Sequence, residues 1–118
     1  YAIELTLSGE IIKADGLPVN GMVMDFADVK RIANECVVER WDHAFLVYRG
    51  DATVMTMLNA IPDHKTVVFD VAPTAENLAA EAFRILEPAY RDIYGNHLQL
   101  ERVRLYETPN CWADALRG

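Results

Sequence analysis

The stretch that most constrains this chain runs from Gly21 to His43. Its apolar residues fall at Phe26, Val29, Ile32, Ala33, Cys36 and Val37, steps of three and four that line one face of a helix. The spacing predicts a helix over about Ala27–Arg40, ending before Trp41. Asp25 stands at the N-cap position, with Asp28 three residues on. A carboxylate there accepts from free first-turn amides, and both charges suit the positive end of the helix. Gly21–Asp25 reads as a short strand leading in, and Trp41-Asp42-His43 as the exit.

The remaining elements arrange themselves around that helix. Tyr1–Lys13 alternates, with Ile3, Leu5 and Leu7 on one face and Glu4, Thr6 and Ser8 on the other, which is a half-buried strand. Gly9 reads as a bulge in it. Ala14–Pro18 is turn chemistry, so this strand and Gly21–Asp25 are expected to form an antiparallel hairpin. Phe45–Tyr48 is apolar and ambiguous, Arg49-Gly50-Asp51 a turn, Ala52–Ala60 a short helix and Thr66–Asp70 a short strand. Thr74 caps a second long helix, whose apolar face is Leu78, Ala82, Ile85, Leu86, Ala89 and Ile93. Pro88 lies inside it and Gly95-Asn96 ends it. Two strands close the chain, Leu98–Glu107 and Cys111–Leu116. This order implies one α+β domain over residues 1–118, with helices on one face of an antiparallel sheet.

Composition removes several functions. The net charge is −7 with no basic run, a poor match for the phosphate backbone of nucleic acid or for an anionic membrane surface. No apolar run approaches the roughly 20 residues that span a bilayer. Hydrophobic residues make up 52 % of the chain, enough for a core. The two cysteines, Cys36 and Cys111, have no motif spacing, which points to a reducing compartment, the cytoplasm, and to structural roles.

The candidates for chemistry are few. Asp42-His43 joins an acid to a titratable imidazole, which makes it either a proton relay or a polar loop after a helix. Glu107 lies on the face of Val103 and Leu105, where a carboxylate needs a partner. That partner is either an arginine or backbone donor of the chain, or the guanidine-like edge of a ligand, whose two parallel N–H groups one carboxylate can accept. His43, His64 and His97 share no metal-ligand spacing.

Taken together, Gly21–Phe26, Asp42-His43, Pro73–Leu78 and Glu107-Thr108 resemble the family of 6-pyruvoyl- and 6-carboxytetrahydropterin synthases, in the same order along the whole chain. The resemblance implies the tunnelling fold: an antiparallel four-stranded sheet with two main helices on one face, closed into a barrel by several subunits. It implies a homo-oligomer, often a hexamer, with sites between subunits. The implied substrate is 7,8-dihydroneopterin triphosphate, and the implied reaction is proton abstraction beside a zinc-bound side-chain oxygen followed by loss of triphosphate. The product is 6-carboxytetrahydropterin, on the route to queuosine-type deazapurines, or the 6-pyruvoyl compound. Asp42 and His43 match the family's relay, and Glu107 the carboxylate that anchors the pterin. Thr74 and Glu76 match a Pro-Thr-x-Glu segment, read mostly as a helix cap and subunit-packing element, and both stand as substrate-binding candidates. The family's three zinc histidines, its catalytic cysteine and its first strand correspond to positions ahead of Tyr1, so no metal ligand is expected among these residues. The resemblance therefore supports two functions: a zinc-dependent synthase, or a non-catalytic pterin-binding or oligomerisation module that keeps Glu107 without a metal.

Overall fold

The computed structural model describes residues 1–118. Its main sheet has three antiparallel strands in the order β1-β4-β5, where β1 is Ala2–Gly9, β4 is Leu98–Thr108 and β5 is Cys111–Leu116. Alternation sets the register. Ile3, Leu5 and Leu7 of β1 stand opposite Leu105, Val103 and Leu100 of β4, so apolar residues of both strands face the core together. β4 carries one extra residue twice. Glu101 is unpaired where the β1 register shifts, and Glu107 where the β5 register shifts.

The first long helix forms as its periodicity requires, in three continuous pieces: α1 (Phe26–Ala33), a π turn (Asn34–Val38) and α2 (Glu39–Trp41). Asp25 caps it, accepting from the Ala27 amide at 2.9 Å. Ile32, Ala33 and Val37 are buried as the spacing predicts, but Phe26, at the first helical position, is 81 % exposed. Helix α4 (Ala75–Tyr94) packs across the sheet, burying Leu78, Ala79, Ala82, Leu86 and Tyr90. Ile93, expected inside, is exposed, and Tyr90 takes the inward position one turn earlier. The core divides into two clusters. In one, α1, the π turn and α4 pack against Leu98, Leu100 and Val103; in the other, Phe69, Leu78, Leu105 and Ala113 meet.

Three sequence expectations are corrected. Gly21–Asp25 is not a strand: it pairs with no strand, and is tied instead by single bonds, the Ile12 amide to the Met22 carbonyl, the Gly21 amide to the Ile12 carbonyl and His97 Nε2 against the Val23 carbonyl. Gly21 there has φ 85° and Gly16 φ 83°, so the connection is a chain of turns. The expected hairpin does not form: β1 pairs instead with the distant β4, in a sheet of three antiparallel strands. The other two strands, β2 (Phe45–Tyr48) and β3 (Thr66–Phe69), form a separate parallel pair connected through helix α3 (Ala52–Asn59). Gly9 is not a bulge either. A Cβ at Gly9 would sit 2.5 Å from the His97 carbonyl oxygen and 2.8 Å from a Val23 methyl, so glycine is required by close approach of neighbouring chain.

Candidate functional site

The chain presents two polar groupings. The first is at the end of α2, where Asp42 leaves the helix with extended backbone (ψ 129°) and His43 adopts a left-handed conformation (φ 55°). That region is sparsely populated by residues other than glycine and is held only where surrounding structure fixes it. The turn aims His43 Nδ1 at Asp42 Oδ2, 3.0 Å away. Both side chains are exposed, His43 by 91 %. Asp42 also borders an otherwise apolar cavity of about 290 Å³ lined by Tyr1, Ile3, Val38, Trp41, Leu78 and Leu105.

The second grouping surrounds Glu107. Its bulge takes the side chain out of the regular ladder at the distal end of β4. It lines an open cavity of about 420 Å³ with Ala75, Glu76, Asn110, Cys111 and Trp112. Arginines on or beside the sheet turn to other acids: Arg102 to Glu4, Arg104 to Asp114 and Arg117 to Glu87. The Arg104 guanidinium, hydrogen-bonded to Asp114, holds that carboxyl below its ordinary range. Glu107 thus faces its cavity without any of these cations. Thr74 acts as a helix cap, its Oγ1 accepting from the Asn77 amide at 3.2 Å, and Glu76 adds a carboxylate to the Glu107 cavity from the first turn of α4.

The fold therefore brings Asp42 to His43 and Glu76 to the cavity of Glu107, while Asp42 borders a different cavity from that of Glu107. The histidines are also separate. His64 Nδ1 contacts Thr66 Oγ1, and His97 is half-buried with Nε2 2.8 Å from the Val23 carbonyl. No group of three or more His, Cys, Asp or Glu side chains is close enough to hold a metal ion. The residues present do not fit the zinc site that the resemblance implies.

A family profile described as 6-pyruvoyl tetrahydropterin synthase matches residues 1–117. The chain belongs to this family. Similar curated proteins carry the name 6-carboxy-5,6,7,8-tetrahydropterin synthase. One from Rickettsia felis is 28 % identical over 114 residues, covering 97 % of this chain and 78 % of its own length. One from Haemophilus influenzae is 26 % identical over 117 residues, covering 97 % of this chain and 77 % of its own.

Within a tetrahydropterin synthase family chain, two features near the Asp-His pair escape a reading of sequence. One is the π turn, which is indistinguishable from α-helix in apolar spacing but re-phases the residues that follow it. The other is Lys65, whose ammonium donates to the Glu39 carbonyl and, at 2.7 Å, to the Asp42 carbonyl. Contrary to the sequence reading, Asp42-His43 is not the only acid next to an imidazole: Asp63-His64 is a second such pair, and there the imidazole contacts Thr66, with its ring edge-on to Phe45 at 6.3 Å.

Proposed function

We propose that this chain is the Asp-His and pterin-anchoring part of a 6-carboxytetrahydropterin synthase that acts on 7,8-dihydroneopterin triphosphate with loss of triphosphate. The observation that carries the reading is the Asp42–His43 contact at 3.0 Å, in a chain whose family match runs from 1 to 117. The names of its relatives favour the 6-carboxy product.

In this reading Glu107 receives the amino-pyrimidine edge of the pterin. A carboxylate without a protein cation accepts two parallel N–H bonds from such an edge, which fixes the plane of the ring as well as its position. Glu76 supplies further acceptor oxygens to the same cavity, and Thr74 keeps the first turn of α4 in place. Asp42 holds the proton of His43 on Nδ1, which leaves Nε2 free to take a proton from the carbon side chain of the substrate. Zinc in this family would make the side-chain hydroxyls more acidic. The side chains here do not gather a zinc site, so no step of this account passes through the metal. The proposed assembly is a homo-oligomer, a hexamer in the family pattern, in which a neighbouring copy covers the exposed His43 and completes the site.

The test is turnover by full-length, zinc-replete protein supplied with 7,8-dihydroneopterin triphosphate. Release of triphosphate together with acetaldehyde is the expected result. Triphosphate release with a 6-pyruvoyl product and no acetaldehyde would overturn the carboxy assignment. Stoichiometric pterin binding without turnover would replace the enzyme reading with the binding module.

A further inference from the structure

The end of the first long helix is tied to the residue just before β3, Lys65, by that residue's side chain. Helix termini leave their last carbonyls without intrahelical partners. Glu39 and Asp42 contribute two such carbonyls, and Lys65 Nζ donates to both. The same residue also holds the segment through its backbone, since the Lys65 carbonyl accepts from the Phe45 amide at 2.9 Å. Lys65 therefore grips the chain on both sides of His43. A cation is well placed there, because it meets the negative end of the helix dipole.

Between these two grips the backbone is held at its ends: the Asp42 amide donates to the Val38 carbonyl at 2.8 Å, and the Ala44 amide closes a turn over Asp42 and His43 onto the Trp41 carbonyl at 3.2 Å. The peptide between Asp42 and His43 lies inside that turn, with His43 at φ 55°, and neither of these two bonds falls on its carbonyl. The two side chains are exposed, so packing does not fix them. Trp41 supplies one anchor, edge-on to Phe69 at 5.5 Å, but it lies before the turn. The bond to the Asp42 carbonyl falls on the peptide that joins the two relay residues.

We propose that Lys65 is a positioning residue for the Asp42–His43 pair: by bridging the Glu39 and Asp42 carbonyls it fixes the peptide that sets the imidazole against the carboxylate. The inference rests on the relay reading of that pair. Lys65 touches no reacting atom in this account. It acts only through the orientation of His43.

The experiment compares Lys65→Met, Lys65→Arg, His43→Ala and the Lys65→Met/His43→Ala double variant in the full-length protein, measuring kcat, KM and Tm. The side-chain ¹⁵N signals of His43 are recorded in parallel. Lys65→Met should lower kcat about tenfold with little change in KM, as expected when a catalytic group is misplaced. Lys65→Arg, which can still donate to two carbonyls, should recover most of the loss. In the His43→Ala background Lys65→Met should cause no further loss. The His43 Nδ1 signal should move from that of a fixed, protonated nitrogen toward the averaged value of a free imidazole. Unchanged His43 signals in Lys65→Met would overturn the proposal, as would a loss that multiplies with that of His43→Ala. Full turnover by His43→Ala would instead overturn the relay reading, and the ¹⁵N signals would then decide the positioning role alone.

Discussion

Tyr90 shows how much a single side chain does in this core. It is fully buried, and its hydroxyl donates to the Val29 carbonyl at 2.9 Å, binding α4 to α1. Burial pushes the phenol above the ordinary tyrosine range, with Cys36 and Tyr94 adding to the effect. The unfolded chain ionises first as pH rises, so this contribution to stability is whole below the ordinary tyrosine range and declines as pH climbs through it. Tyr90→Phe should cost about 1 kcal/mol in urea unfolding, because the ring still fills its place but the Val29 carbonyl loses its donor. A null effect would mean that the carbonyl is satisfied elsewhere. The helix's apolar spacing placed Ile93 inside and passed over Tyr90, since a hydroxyl is tolerable in a core only with a partner, and that partner is 61 residues away in sequence. Lys65 was illegible for the same reason: its acceptors lie 26 and 23 residues upstream. By contrast, Asp42-His43 was legible because the contact is between neighbours in the chain.

At the scale of elements, local signals were reliable and pairing was not. Thr74 was visible as a cap because capping needs only its own helix, and the structure has Thr74 Oγ1 accepting from Asn77. Thr74→Ala should destabilise the fold by about 1 kcal/mol in chemical denaturation, while Thr74→Asp, which keeps an acceptor at the N-cap, should remain close to wild type. Equal loss in both variants would contradict a capping role and point to a contact that needs the threonine itself. The parallel pair β2–β3 was hidden, because four-residue apolar runs carry no periodicity and the pairing spans a helix. Gly21–Asp25 erred in the opposite direction. Its strand-like composition is overridden by the positive φ of Gly21 and by ties to Ile12 and His97.

The whole molecule is extended for its length. Its radius of gyration is 17.0 Å, against about 13.5 Å for a compact domain of this size. β1 and β5 are both edge strands, each with one unpaired side. Asp42 borders one cavity and Glu107 another. These features support the proposed assembly, in which one copy supplies the relay and another the pterin anchor. The most direct test mixes two full-length variants, His43→Ala and Glu107→Ala, each expected to retain only a small residual activity alone, and lets them co-assemble from equal amounts. If each site takes His43 from one copy and Glu107 from another, random mixing leaves about a quarter of the sites intact and restores about a quarter of wild-type turnover. A mixture no more active than its parents would contradict the shared-site account.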